Sequence, residues 1–368
     1  MYGTRAVIHL DRLKRNFERI RKRIGNRLIC MPVKADAYGH GASPLAAAGI
    51  LNGADFLAVA RVQEGAELRR AGIAARILLL SPPVPEELGA LAAYRLTPLI
   101  SDRDLAGAIN AAAEKAGIIL PAHIKIDTGM GRIGCRPEEA ADLACCIHSL
   151  KSLKYEGTAT HLARADSPAP EAVEATKIQI ARFKSALEVI RRAGANPGIV
   201  HAANSGAVLL HEDAYFDMVR PGILLYGYPP SEELADSPEP IMELETTVVF
   251  IKNVKKGEAL SYGGTWIAPK DTAVGTLPIG YGDGLPRQIS GAMRVIIRGI
   301  SYPLAGRICM DQCMVDLGSA DLVKRWDKVT VFGGEGSLTA ADIALQAHTI
   351  PYEITCNINK RVPRVYVS

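Results

Sequence analysis

Between Leu28 and Val219 the chain repeats one unit: an apolar run of strand length, a polar break, then a helix-forming stretch. The apolar runs cover residues 28–33, 56–60, 77–80, 96–100, 122–126, 155–160, 199–202 and 217–219. Between them, residues 45–51, 62–70, 104–116, 137–149 and 173–193 are rich in the Ala, Leu, Glu, Lys and Arg that suit helices. Alternation of this kind implies parallel strands joined by helical crossovers. Eight strands is the number that closes a (β/α)8 TIM-type barrel. The competing arrangement is an open doubly wound sheet, which places a ligand at a single crevice.

The flanks read differently. Residues 6–10 form a short apolar run, and Asp11 is placed to cap a helix whose apolar residues are Leu13, Phe17, Ile20 and Ile24, with Gly25 as its stop. The opposite face of that helix is basic, which fits a solvated outer face better than a membrane surface. From Tyr228 to Pro240 a polar, Pro-bearing segment reads as a linker. Beyond it come short β-type runs at residues 246–254, 272–277, 293–297, 312–316 and 328–332, punctuated by Gly and Pro. The expected organisation is a barrel over residues 1–230, with the first strand near residues 1–10 a candidate to pack with the β domain. A mostly β domain follows over residues 241–368.

Composition narrows the function. The 368 residues are 48% hydrophobic and 22% charged, ordinary for a soluble globular protein. A net charge of +4, few aromatics and no basic patch interleaved with them give no support for nucleic-acid binding. Seven cysteines with no C-x-x-C spacing read as reduced core thiols in a cytoplasmic protein, with no metal site. The N-terminal residues carry no secretory signal, and no apolar run is long enough to span a bilayer.

In a parallel barrel the active site lies at the C-terminal ends of the strands. Polar residues stand there throughout. Lys34 and Tyr38 follow the first run of the barrel, and Asp127 to Arg132 follow the fifth, which contains Lys125. His161 ends the sixth, Asn204-Ser205-Gly206 follow the seventh, and Arg220-Pro221-Gly222-Ile223 the eighth. Lys34, in Val33-Lys34-Ala35-Asp36-Ala37-Tyr38-Gly39-His40-Gly41, ends an apolar strand and begins a Gly-rich turn. Taken alone, it reads equally as a lysine snorkelling to water or as a Schiff-base lysine whose pKa burial has lowered. Loops after the last two strands of such barrels commonly bind phosphate through backbone N–H groups, a role Ser205, Gly222 and Ile223 suit. Each glycine alone would be a plain turn. A phosphate-bearing cofactor together with a strand-end lysine points to pyridoxal 5′-phosphate. Arg220, always charged, would donate to the pyridine nitrogen and keep it unprotonated, which weakens the electron sink. That suits a brief carbanion that is promptly reprotonated.

Gly129-Met130-Gly131-Arg132-Ile133-Gly134 matches G-x-G-x-x-G after a strand. A dinucleotide site would need an acidic residue at the end of the next strand, whereas Glu156 stands at the start of that run. In the β domain, Tyr262 and Tyr281 sit in glycine turns, Tyr352 lies near the C-terminus, and Met310 lies in Gly306-Arg307-Ile308-Cys309-Met310-Asp311-Gln312. A tyrosine with its ordinary pKa of about 10 acts as a base only under a cationic field, so local sequence favours structural turns.

The full set of motifs closely resembles one family, the pyridoxal-phosphate alanine racemases. The resemblance spans essentially the whole chain and rests on residues 33–41, 127–134, 204–206, 220–223, 262–264 and 309–312, on His161, and on Arg361-Val362-Pro363-Arg364. It implies an enzyme that interconverts L-alanine and D-alanine by a two-base mechanism on a pyridoxal phosphate aldimine, supplying D-alanine for cell-wall peptidoglycan. Lys34 would be the base on one face. Tyr262, supplied by the partner subunit of a homodimer, would be the base on the other. Arg220 would bond the pyridine nitrogen, with His161 near the ring. Tyr38, Asn204, Ser205, Gly222, Ile223 and Tyr352 would hold the cofactor, most of them at its phosphate. Arg132 and Met310 would bind the substrate carboxylate, and Tyr281 would narrow the entry. In some members the lysine matching Lys125 is carbamylated and orients the arginine. The alternatives are a racemase for serine or another small amino acid, and a single-barrel cofactor-binding protein, which would lack the β domain.

Overall fold

The computed structural model describes residues 3–231, 233–234, 238–319 and 322–368. Of the segment read as a linker, Glu232, Ala235, Asp236 and Ser237 lie outside the described residues, as do Met1 and Tyr2 of the N-terminus. The chain forms two compact units. One comprises Lys14–Ala37 and Ala42–Pro238, the other Met1–Leu13, Tyr38–Gly41 and Glu239–Ser368.

Strand β1 (Arg5–His9) leads into a helix over Leu10–Ile24. Leu13, Phe17, Ile20 and Ile24 are all buried, as helical spacing requires. Asp11 is not the cap. It lies inside the first turn, where a carboxylate faces the positive end of the helix.

The first unit is built on β2 (Leu28–Pro32), β3 (Phe56–Val59), β4 (Arg76–Leu79), β5 (Thr97–Ile100), β6 (Leu120–Lys125), β7 (Leu153–Ala159), β8 (Ile199–His201) and β9 (Met218–Val219). These eight strands pair in sequence order, and β9 pairs in parallel with β2 to close the barrel. Closure rules out the open sheet. It also accounts for the continuous apolar runs, since both faces of each strand are covered. Inside, Cys30, Phe56, Ala58, Leu78, Leu99, Ala159 and Met218 pack into one cluster. The crossover helices begin as their sequences direct. Asp102 Oδ1, for example, accepts from the Leu105 amide at 2.8 Å and caps the helix Arg103–Lys115, a contact worth about 1 kcal/mol.

The second unit contains β10 (Met242–Thr247), β11 (Phe250–Val254), β12 (Ala259–Leu260), β13 (Trp266–Ile267), β14 (Thr272–Leu277), β15 (Arg294–Ile297), β16 (Ile300–Pro303), β17 (Cys313–Gly318), β18 (Lys328–Phe332) and β19 (Arg364–Val367). The larger sheet has the order β16-β15-β18-β10-β1-β19, and a three-stranded sheet runs β11-β14-β17. The N-terminal strand thus lies between β10 and β19. The run expected over residues 246–254 is two strands in two sheets. The chain turns at Val248 and Val249, whose amides bond to Asp327 and Thr276 respectively, so the pairing passes from one sheet to the other. Glu245 on β10 accepts from Arg5 Nε at 2.9 Å and Lys328 Nζ at 2.6 Å, joining three adjacent strands through one buried carboxylate.

Candidate active site

Lys34 stands just past β2, where the Tyr226 hydroxyl donates to the Pro32 carbonyl at 2.7 Å and fixes the exit of the strand. The next four residues are left-handed: Ala35, Asp36, Ala37 and Tyr38 have φ of 51°, 53°, 53° and 53°. None is glycine, and each such residue costs roughly 1–2 kcal/mol. The surroundings hold the turn in place. The Ala37 amide donates to Val33 O at 2.9 Å, Asp36 Oδ1 accepts from the Ala42 amide at 2.8 Å, and Glu64 Oε1 accepts from the Ala35 amide at 2.6 Å. Further along, Arg364 Nε donates to Gly39 O at 2.9 Å, and a Cβ on Gly39 would meet Thr355 O at 2.0 Å. The Tyr38 and Tyr352 rings lie 5.7 Å apart, centroid to centroid. The expected Gly-rich turn is therefore a strained left-handed turn running directly from the lysine.

The other barrel residues also fall at strand ends. Arg220 follows β9 and is only 7% exposed. Its Nη1 donates to His201 Nδ1 at 2.6 Å, and its Nη2 donates to Thr160 O at 2.7 Å and Ala202 O at 3.1 Å, with His161 Nδ1 at 3.4 Å. Burial lowers the guanidinium's pKa to about 10, still far above neutrality. No carboxylate pairs with Arg220 among the described residues. Lys125 ends β6 and is 4% exposed, its amine bonded to Ile126 O at 3.0 Å. Burial first, then the charge of Arg220, lowers its pKa to about 7. His161 is held well below its ordinary value, first by burial and then by Arg220, Lys125, Arg132 and Lys34. One imidazole thus feels four basic groups at the same end of the barrel.

The loops after β8 and β9 are linked. Asn204 caps the helix Ser205–Leu210 by accepting from the Ala207 amide at 3.1 Å, and its amide group donates to Leu162 O at 3.2 Å. Buried Ser205 Oγ accepts from the Leu224 amide at 3.4 Å, tying it to the short helix Gly222–Leu225 that holds Gly222 and Ile223. The G-x-G-x-x-G loop is occupied internally. Asp127 Oδ1 accepts from the amides of Gly129, Met130 and Gly131 at 2.9, 2.9 and 3.1 Å, so those donors do not await a dinucleotide phosphate. This loop presents Arg132, which is exposed and makes no ion pair among the described residues.

The β unit gathers its own set. Tyr262 sits in the turn Tyr262–Gly264, after a strained Ser261 with φ of 66°, and is 68% exposed. Ser261 Oγ donates to Arg307 O at 2.8 Å. The amides of Tyr281 and Gly282 donate to Cys309 O and Met310 O at 3.0 and 2.8 Å. Arg361 closes this cluster, bonding Asp283 at 2.7 Å and Asp311 at 2.9 Å. Tyr262, Tyr281 and Met310 are thus held around one loop, residues 307–311, with large parts of their side chains exposed.

Comparison with known proteins gives the family. The model of the alanine racemase N-terminal domain matches residues 8–230, and that of the alanine racemase C-terminal domain matches residues 241–366. An alanine racemase of Treponema denticola is 50% identical over 375 residues, covering 100% of this chain and 99% of that one. An alanine racemase of Treponema pallidum subsp. pallidum is 46% identical over 378 residues, covering 100% of both. A solved structure, the alanine racemase of Clostridium difficile 630, aligns with a TM-score of 0.94 at 36% identity, over 100% of this chain and 96% of that chain. The chain belongs to the alanine racemase family. It is accordingly an isomerase of the racemase type.

Pyridoxal phosphate can be tested against the residues this member presents. A buried arginine with no carboxylate partner among the described residues, with Lys34 and Arg132 adding positive charge at the same end, fits a ligand with an acceptor nitrogen and anionic groups. A carboxylate beside a pyridinium, the common alternative, is missing from the groups that contact Arg220 among the described residues. Sequence reasoning passed over His123, His201 and the part Glu156 plays. Each histidine interrupts an apolar run, Ala122-His123-Ile124 and Val200-His201-Ala202. That interruption was the available signal, because a polar group at an inward barrel position must find a partner inside.

Proposed function

We propose that this chain interconverts L-alanine and D-alanine, with pyridoxal 5′-phosphate as cofactor, and so supplies D-alanine for peptidoglycan. The observation that carries the reading is Arg220: a buried cation with no carboxylate partner among the described residues, at a strand-end rim where Lys34 and Arg132 add positive potential. Lys34 would hold the cofactor through its amine. Arg220 would donate to the ring nitrogen, with His161 beside it. Ser205, Gly222, Ile223, Tyr38 and Tyr352 would hold the phosphate, with Asn204 a further cofactor-binding residue. When bound, the cofactor supplies a sink for the electron pair left as the substrate's α-proton departs.

Inversion needs proton removal from one face of the α-carbon and delivery to the other. Lys34 takes or returns the proton on one face. Tyr262 does so on the other, as the contribution of the second subunit of a homodimer. Its exposure suits a side chain offered to a neighbouring chain. Arg132 and the Met310 amide bind the substrate carboxylate, and Tyr281 narrows the entry. Among the described residues no helix is long and apolar enough to cross a membrane. The compartment proposed is the cytoplasm.

The test is incubation of protein and pyridoxal phosphate with L-alanine in D₂O, followed by circular dichroism and proton NMR. Loss of optical activity together with α-deuteration is expected. Deuteration with retained configuration would remove Tyr262 from its role. The absence of both changes would overturn the reading, and faster turnover of serine in the same assay would move the substrate assignment.

A further inference from the structure

A line of buried polar groups crosses the inside of the barrel behind Arg220. Arg220 Nη1 donates to His201 Nδ1 at 2.6 Å. His201 Nε2 lies 2.8 Å from His123 Nδ1. His123 Nε2 faces Glu156 Oε2 at 3.5 Å, and Glu156 Oε1 lies 3.6 Å from Arg76 Nη1. Both histidines are fully buried, whereas the Arg76 side chain is 56% exposed. The line therefore runs from solvent at the start of β4, through β7, β6 and β8, to the arginine after β9.

Elementary donor arithmetic fixes every proton in it. Arginine only donates, so His201 Nδ1 must accept and His201 Nε2 must carry the hydrogen. That hydrogen points at His123 Nδ1, which must accept, leaving the His123 hydrogen on Nε2. Nε2 faces a carboxylate, which only accepts. His123 Nε2 and Glu156 Oε2 are otherwise buried without a hydrogen-bond partner, so each is the one group available to the other. Reversing the line would turn the Nδ1–H of His201 against the Arg220 guanidinium. The backbone makes room for this arrangement. A Cβ on Gly157 would lie 2.6 Å from the His123 ring, so any other residue there would displace it.

We propose that Glu156, His123 and His201 are positioning residues that lock one tautomer through both rings and thereby hold the Arg220 guanidinium in a single orientation toward the cofactor ring. The inference rests on the function proposed above. Arg220 opposes reversal at one end of the line, and Glu156, which only accepts, opposes it at the far end. Burial supports the arrangement, since it holds both rings in their neutral form.

The wild-type holoenzyme tests this before any substitution. ¹⁵N NMR of labelled histidines, assigned with His123→Gln and His201→Gln, is expected to show both rings neutral with the hydrogen on Nε2. A hydrogen on Nδ1 of either ring, or a protonated ring, would overturn the proposal. Glu156→Gln supplies an amide that donates as well as accepts, so reversal is then opposed only at the Arg220 end, where the guanidinium can turn away from His201. It is expected to give mixed tautomers at His201, an altered visible absorption of the bound cofactor, and about a tenfold fall in kcat with KM little changed. Glu156→Gln protein that loses only thermal stability, with tautomers and spectrum unchanged, would leave Glu156 a packing group and sink the idea. If the wild type fails to racemise alanine, the functional reading falls while the tautomers still report on the line itself. If it racemises and the variant is indistinguishable from it, only the inference falls.

Discussion

Lys125 shows how a barrel alters a single side chain. An amine with a pKa of about 7 is largely unprotonated just above neutrality, and a neutral amine is the form that attacks carbon dioxide. A carbamate on Lys125 is therefore expected. ¹³C NMR of protein in labelled bicarbonate would show a carbamate signal that Lys125→Arg abolishes, and a spectrum without it would exclude the modification. Lys34 and Tyr262 are separable at the same scale. Lys34→Ala should abolish borohydride-fixed cofactor and racemisation together. Tyr262→Phe should keep the cofactor linked and lower racemisation about 10²- to 10⁴-fold, the usual contribution of a positioned base. Retention of full activity by either variant would remove that residue from its role. Lys34 and Lys125 were legible as candidates, because strand ends are where a parallel barrel presents its chemistry, whereas the local sequence around Tyr262 read as a structural turn and only the resemblance singled it out. The perturbation of Lys125 was not legible, because it comes from burial and from Arg220, which is distant in sequence.

Among the elements, the turn after β2 departs most from local preference. Ala, Asp, Ala and Tyr do not favour the left-handed region, so the conformation of residues 35–38 is imposed by contacts. Asp36 supplies one of them through the Ala42 amide. Asp36→Ala should cost about 1–2 kcal/mol in urea unfolding. It should also slow turnover, because the turn aims the lysine. An unchanged midpoint and rate would show that the other contacts suffice. Asp11 and the run at residues 246–254 carry the same lesson in milder form. The helix and the strands existed as expected, but tertiary hydrogen bonds set where they begin and where they break.

For the whole molecule, buried neutral histidines make stability depend on pH. Burial is the main cause that lowers the pKa of His123, His161 and His201, so the folded chain takes up fewer protons than the unfolded chain as pH falls through about 6.5. Stability is then lost on acidification, by up to about 1.4 kcal/mol per pH unit for each histidine. The carboxyl of Glu156, held low by its contact with His123, adds loss in the same direction only at still lower pH. Melting temperatures measured from pH 7 to pH 5 should fall steadily, and a flat profile would contradict the assignment of neutral rings. The sequence by itself determined the alternation of strands and helices, the change to a β-rich second part and the reactive residue types at the strand ends. These follow from periodicity and composition, which are local. Tertiary structure alone decided closure by β9 on β2, the place of β1 between β10 and β19, the left-handed turn and the histidine line behind Arg220. Each depends on which distant groups meet inside a low-dielectric interior, where a polar atom must find a partner or keep its neutral form.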